Sequence, residues 1–150
     1  MRSLAALVAA ATLALALPIA AAGARSRRPA AAIERAIDHA RVRHGLRALR
    51  HSRALARVAG AHSRAMLRAN VLTHGAFVAR VRPAAHTRTI GEALGWTSRC
   101  SARRIVGMWL ASPVHRELLL SRRFHRVGVG VRTGRLGRVR ACVVTADFAA

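Results

Sequence analysis

The apolar residues of this sequence repeat with two different periods, and the change between them limits the fold more than any other feature. Three segments between residues 33 and 112 place apolar side chains three or four residues apart, the spacing of an amphipathic helix. After residue 126 the period falls to two, because Val127, Val129 and Val131 alternate with glycines, and residues 141–148 form a second β-rich run. Helices followed by strands in one chain predict an α+β domain.

The first predicted helix covers Ile33–His44. Glu34 and Asp38 occupy its first turns, basic residues occupy its last, and Gly45 follows directly. This order suits the helix dipole and a glycine C-cap.

Two serines are predicted N-caps of later helices. Ser52 precedes a segment whose apolar residues recur at helical spacing, and Ser101 precedes another that ends before Pro113. A short helical turn over Val114–Leu120 should follow.

Two other segments lack a regular period. The stretch between Asn70 and Ile90 contains Gly75 and Pro83 and predicts a long loop with short turns. Such loops in small domains often carry function. The stretch Arg132–Arg138 predicts the turn between the two strands.

The N-terminus has the layout of a secretory signal peptide. An apolar run, Leu4–Leu17, follows a single basic residue and leads to the small residues Ala22-Gly23-Ala24, which match an A-x-A cleavage site. The alternative is a retained membrane anchor, but the run is shorter than the ~20 apolar residues that span a bilayer. We expect residues 1–24 to be removed and the protein to be secreted or attached to the cell envelope.

Cleavage would leave roughly 126 residues, enough for one domain with one core. Residues 25–31 predict a basic, mobile lead-in with nothing to pack against, and residues 32–150 predict the domain itself. Arginines interrupt every apolar stretch after residue 25, so we expect no transmembrane segment after signal cleavage.

The two cysteines, Cys100 and Cys142, are the only ones in the chain. Export would place them where a disulfide forms and persists, and an isolated pair fits one bridge. A metal site at these residues is the weaker alternative, since neither belongs to a CxxC or Cys/His cluster.

The net charge is +22, and every Lys or Arg position is arginine. The arginine bias is typical of a GC-rich genome, and its functional alternative is a surface attracted to acidic cell-envelope polymers or lipid headgroups. Only five aromatic residues occur, and no nucleic-acid docking motif is present, so we expect no specific nucleic-acid binding.

Several short motifs occur in one order along most of the chain. Together they resemble the bacterial branch of the CAP superfamily, the SCP-like extracellular domain shared with cysteine-rich secretory, antigen 5 and pathogenesis-related proteins. The resemblance implies a single-domain, three-layer α-β-α sandwich with a central antiparallel sheet. The motifs are Ile37-Asp38-His39-Ala40-Arg41, Ala61-His62-Ser63, Thr73-His74, Gly91-Glu92-Ala93, Trp109-Leu110-Ala111-Ser112-Pro113-Val114-His115-Arg116, Gly128-Val129-Gly130 and Thr145-Ala146-Asp147-Phe148.

The resemblance also implies a cleft where histidines and glutamates converge. His74 and His115 match the two family histidines, and Glu92 matches the glutamate of the G-E-N motif, although Ala93 replaces its asparagine. The second glutamate of animal and plant relatives is missing, because Ser112 stands at about that place.

Two imidazoles and a carboxylate are a competent ligand set for Zn²⁺ or another divalent cation. The alternative is a metal-free polar network in which Glu92 raises the pKa values of His74 and His115. His62 lies on the apolar stripe of its helix and is interpreted as a core histidine with a satisfied hydrogen bond.

The sequence contains no G-x-S-x-G, no H-E-x-x-H and no phosphate-binding glycine loop, and nothing in it identifies a nucleophile. The first hypothesis is therefore a non-catalytic extracellular binding domain whose cleft holds a metal and a small lipid-like ligand. A metal-dependent hydrolase of peptide or cell-wall material is the second. A basic adhesion or antimicrobial protein that acts through charge alone is the third.

Overall fold

The computed structural model describes residues 20–150 and the side-chain environments from residue 28 onwards. Within this part, five helices surround one four-stranded sheet. The helices are α1 (Ala20–Arg43), α2 (Arg53–Ala69), α3 (Phe77–Ala85), α4 (Ala102–Ala111) and α5 (Pro113–Leu119). The strands are β1 (Arg50–His51), β2 (Ile90–Thr97), β3 (Arg126–Leu136) and β4 (Val139–Ala149).

The sheet has the order β1-β3-β4-β2. Strands β2, β4 and β3 pair antiparallel, and the two-residue β1 adds a short parallel pairing to β3. Helices α1 and α4 cover one face, and helices α2 and α3 cover the other. The predicted α+β fold with three layers and a central antiparallel sheet is confirmed.

The alternation of valine and glycine in β3 explains how the layers pack. Val127, Val129 and Val131 point into the core shared with α1 and α4. Gly128 and Gly130 point the other way, where a Cβ at Gly130 would overlap the backbone nitrogen of Gly60 in α2. The glycines therefore let the backbone of α2 approach the sheet more closely than any side chain would allow.

The predicted helix caps are largely confirmed. The Ser52 hydroxyl accepts a hydrogen bond from the Leu55 amide at the start of α2, and Ser101 accepts one from the Arg104 amide at the start of α4. Gly45 follows α1 with a φ of 69°, in the left-handed region where glycine is favoured. The short helix after Pro113 is confirmed as α5.

The start of the first helix differs from the prediction. Helix α1 begins at Ala20 and includes residues 25–31, which were expected to be a mobile lead-in. Ala30, near the end of that segment, packs against the core. Glu34 and Asp38 consequently lie within the helix and not in its first turns. Residues 1–19 lie outside the described residues, and signal-peptide cleavage after residue 24 stays a prediction.

The predicted long loop after Asn70 is wrong, because it contains α3 and leads into β2. Pro83 and Gly75 are residues that usually break helices, so the sequence did not predict α3. The helix forms because Val81 and Ala85, one helical turn apart, bury their side chains with Leu55. Strand β2 was missed since it is buried on both faces and its sequence does not alternate.

The predicted turn over residues 132–138 is also too long. Strands β3 and β4 stay paired as far as Leu136 and Val139. Only Gly137, with a φ of 61°, and Arg138 form the connection.

The predicted disulfide between Cys100 and Cys142 is present. It connects the loop between β2 and α4 to β4, 42 residues further along the chain, with Cα atoms 5.3 Å apart. A loop of this size is expected to stabilise the fold by about 4 kcal/mol, mainly by restricting the unfolded chain.

The glycine packing predicts opposite effects of two Gly→Ala substitutions. Gly130→Ala should lower the free energy of unfolding by about 3 kcal/mol, because α2 would have to move away from the sheet. Gly107→Ala, in the middle of α4 with open space around it, should raise it by about 0.5–1 kcal/mol. Urea denaturation of both variants measures these changes. Equal effects from the two would contradict the packing described for β3.

Candidate functional site

Glu92 is the centre of a buried polar cluster on the face of the sheet that α2 and α3 cover. Its side chain on β2 is only 1% exposed. One carboxylate oxygen, Oε1, lies 2.7 Å from His74 Nδ1, and the other, Oε2, lies 2.7 Å from Arg80 Nη2. Both oxygens are therefore bound to cationic or polar donors of this chain.

His74 lies in the loop between α2 and α3, and its side chain is 55% exposed. Because Nδ1–H donates to Glu92, the other ring nitrogen, Nε2, remains available for a different partner. Gly75, with a φ of 51°, turns the chain after it, and the Gly75 amide donates to the Thr73 hydroxyl. Arg80 also donates to the His74 carbonyl at 3.2 Å, so the same guanidinium holds both the loop and Glu92.

His62 comes from α2 and lies next to the cluster. Its Nε2–H donates to the Thr73 carbonyl at 2.8 Å, and the same nitrogen lies 3.9 Å from Glu92 Oε2. Burial, together with the Arg80 charge, lowers the pKa of His62, which keeps the ring neutral near pH 7. His62 is a buried histidine with a hydrogen-bond partner, as its place on the apolar stripe predicted, and it also borders the cluster.

Asp147 on β4 is the cross-strand partner of Glu92 and is fully buried. If Asp147 and Glu92 were both ionised, neither carboxylate could donate a hydrogen bond. Both Asp147 oxygens would then lack a hydrogen-bond partner, and Arg80 Nη1 is 3.8 Å from Asp147 Oδ2. Burial, reinforced by the Glu92 charge, raises the pKa of Asp147 to about 8. At neutral pH Asp147 therefore keeps its proton and is a neutral acid on the strand next to Glu92.

His115 lies near the start of α5, which packs against β2. Its Nδ1 is 3.0 Å from the Ser112 hydroxyl, and its side chain is half-buried. Burial lowers the pKa of His115, and the charge of His74 lowers it further. Of the three residues predicted from sequence, Glu92 and His74 are thus directly bonded, whereas His115 comes from another element and bonds to Ser112.

Comparisons with known proteins agree with this architecture. The model of the cysteine-rich secretory protein family, CAP, matches residues 34–148. This chain belongs to the CAP family. A comparison with curated proteins gave no match.

Three crystallised or otherwise solved bacterial proteins have similar structures. An extracellular protein of Bacillus anthracis that contains an SCP domain is 25% identical with a TM-score of 0.71, and the match covers 82% of this chain and 40% of that one. An outer surface protein of Borrelia burgdorferi is 20% identical with a TM-score of 0.65, covering 81% and 92%. A cysteine-rich secretory protein of Staphylococcus aureus is 17% identical with a TM-score of 0.63, covering 83% and 39%.

This chain spans less than half the length of the Bacillus anthracis and Staphylococcus aureus proteins. The two matches of 20% identity or lower show the CAP fold alone. In the described part of the chain, no helix is both long enough and apolar enough to cross a membrane.

The donor groups around Glu92 do not fit a three-ligand metal site. Among residues 20–150, no three His, Cys, Asp or Glu side chains converge as a metal-binding group. Glu92 already accepts bonds from His74 and from the positive Arg80, whose charge opposes a nearby cation. His74 and His115 could each offer an imidazole nitrogen, with Glu92 orienting His74 from behind.

Two members of the cluster were missed by sequence reasoning. Asp147 is one of only five acidic residues and lies in a largely apolar strand, which is a usable signal of a special role. Arg80 carries no such signal, because it is one of 27 arginines and sits in a segment without a clear period.

The raised pKa of Asp147 predicts that the protein loses stability as pH rises from 6.5 to 8. The unfolded chain has already lost this proton, whose ordinary pKa is 3.8, while the folded chain keeps it up to about pH 8. The free energy of unfolding should therefore fall by up to about 1.4 kcal/mol per pH unit. The lowered pKa values of His62 and His115 act in the opposite direction, but only below about pH 6.5.

Urea denaturation at several pH values measures this slope in three proteins. Asp147→Asn, which cannot ionise, should be nearly flat between pH 6.5 and 8. Glu117→Gln removes an exposed acid on α5 and should keep the slope of the natural sequence. A slope that persists in Asp147→Asn would show that another group causes it.

Proposed function

We propose that this CAP domain is a non-catalytic extracellular binding domain whose cleft beside His74 and His115 takes a small amphiphilic ligand with an anionic head. The observation that carries the proposal is that both carboxylate oxygens of Glu92 already accept hydrogen bonds from this chain. Its two oxygens accept bonds from His74 and Arg80, and the neighbouring Asp147 is neutral. A carboxylate held in this way is an anchor for other side chains and is poorly placed to take a proton from water.

The surroundings of the two histidines support a ligand with a polar and an apolar part. Leu72, two residues before His74, is 39% exposed, and Val114, next to His115, is 77% exposed. Large apolar side chains exposed beside polar ones are typical of binding sites for such molecules. His115 can donate a ring N–H to an anionic head, and His74 can do so from Nε2 as the imidazolium, because its Nδ1–H already donates to Glu92. The positive charge of the chain attracts such a head.

An extracellular location fits the N-terminal sequence and the relatives. The Bacillus anthracis and Borrelia burgdorferi proteins are described as extracellular and outer-surface proteins. The signal-peptide layout of residues 1–24 is independent support for export.

Binding can be tested with sodium octanoate, a carboxylate with a short alkyl chain, by calorimetry. The protein and the control His39→Ala, an exposed histidine on α1, should bind it with the same affinity. The double variant His74→Ala/His115→Ala should bind it at least about tenfold more weakly, since it loses two hydrogen bonds to a charged group. Equal affinity in all three proteins would contradict the proposed site.

The same three proteins test whether a metal belongs to this site. Zn²⁺ titration should give a single weak binding event in the protein and in His39→Ala, because two protein ligands are fewer than the three or four of known zinc sites. The event should disappear in His74→Ala/His115→Ala. Identical heats in all three would show that Zn²⁺ does not bind at these histidines.

Turnover of labelled peptidoglycan and of a peptide panel tests the non-catalytic part of the proposal. The protein and Glu92→Gln should both remain at the level of the blank, with and without added Zn²⁺. Turnover by the protein that Glu92→Gln abolishes would establish the hydrolase instead.

A further inference from the structure

A cavity lies at the turn end of the β3–β4 hairpin, away from His74 and Glu92. This hairpin cavity has a volume of about 460 Å³ and is lined by Arg99, Arg135, Arg140 and the Cys100–Cys142 disulfide, among others. Cys142 and Asp147 are five residues apart on β4, which corresponds to about 17 Å along an extended strand. Cys142 also belongs to the core on the α1 and α4 side of the sheet, whereas Glu92 and Asp147 lie on the other side.

The fold brings the three arginines together at this cavity. Arg135 and Arg140 are directly paired across β3 and β4, so both side chains leave the same face of the hairpin. Arg135 donates to the Arg138 carbonyl at 2.7 Å, which holds its guanidinium over the turn. Arg99 precedes Cys100, so the disulfide keeps it beside β4.

No acidic side chain lines the hairpin cavity, because the few acids of this chain are elsewhere. Glu34 and Asp38 flank His51 near β1. Glu92 and Asp147 form the buried cluster, and the remaining acid, Glu117, is exposed on α5. Directly opposed like charges such as Arg135 and Arg140 destabilise a hairpin unless an anion compensates them.

We infer that the hairpin cavity is a binding site for a phosphate-bearing ligand with at least two negative charges. Guanidinium groups bind phosphate oxygens through paired hydrogen bonds. The positive charges of three guanidinium groups are more than one singly charged anion would neutralise. The Thr133 and Ser98 hydroxyls at the cavity wall add neutral donors. A volume of about 460 Å³ lies in the range of small-molecule sites. This site is separate from the proposed histidine cleft and does not depend on it.

Calorimetric titration with inorganic triphosphate tests the inference at about 150 mM salt, where exposed charges more than ~8 Å apart are largely screened. The protein should bind one triphosphate per chain. Arg135→Gln and Arg140→Gln should each weaken binding about tenfold, the loss expected for a charged hydrogen bond. Arg57→Gln, an exposed arginine on α2 with the same change in net charge, should change it less than about twofold.

Two results would overturn the inference. One is an equal loss of affinity in Arg57→Gln and Arg140→Gln, which would show diffuse attraction to the whole basic surface. The other is a stoichiometry of several triphosphates per chain. Circular dichroism of the variants checks that they are folded, as expected for changes at exposed positions.

Vesicle sedimentation distinguishes the two sources of phosphate that this site could meet. Vesicles containing phosphatidylglycerol present phosphate as a lipid headgroup, while triphosphate represents a soluble or polymeric phosphate. Sedimentation that Arg140→Gln abolishes and Arg57→Gln preserves would assign the lipid headgroup. The two variants could instead sediment equally with the vesicles while Arg140→Gln still weakens triphosphate binding. That result would identify a soluble or polymeric phosphate as the ligand of this site.

Discussion

Two carboxyl groups, Glu92 and Asp147, face each other in the interior of this CAP domain on neighbouring strands, and the rest of the cleft depends on how their charge is balanced. Two buried carboxylates in contact would repel each other strongly in a region of low polarity. The fold avoids this by leaving a proton on Asp147 and by placing Arg80 beside Glu92. One negative charge, one positive charge and one neutral acid remain.

This arrangement fixes the position of the His74 loop as well as the charge of the cluster. Arg80 bonds to both Glu92 and the carbonyl of His74, and Glu92 bonds to the ring of His74. The loop between α2 and α3 is thereby fixed to the sheet at a single ionised carboxylate. His74 is oriented with one nitrogen inward and one available to a ligand. Orienting an exposed side chain is a role that suits a binding site.

The sequence predicted those parts of the fold that local rules control. Ser52 and Ser101 cap helices because a serine hydroxyl satisfies a free amide there, and this needs no tertiary contact. Val127 and Val129 alternate with glycines because one face of β3 is packed against side chains and the other against the backbone of α2. These are features of neighbouring residues, so their pattern is visible in the chain.

Tertiary contacts decided the parts that sequence reasoning missed. Helix α3 contains Pro83 and forms because Val81 and Ala85 are buried. Strand β2 is covered on both faces and so shows no alternation. Resemblance to the CAP family indicated His74, Glu92 and His115, but the protonated Asp147 and the guanidinium of Arg80 emerge only when β2 pairs with β4 and α3 packs above them.

The central claim is that Asp147 is neutral in the folded protein at neutral pH, beside the Glu92 carboxylate that His74 and Arg80 bind. Carboxyl-carbon NMR of protein labelled at aspartate and glutamate, followed from pH 4 to pH 9, tests it most directly. The Asp147 signal should remain that of a protonated acid through pH 7 and titrate near pH 8. An Asp147 signal that has already completed its titration by pH 6 would contradict the claim.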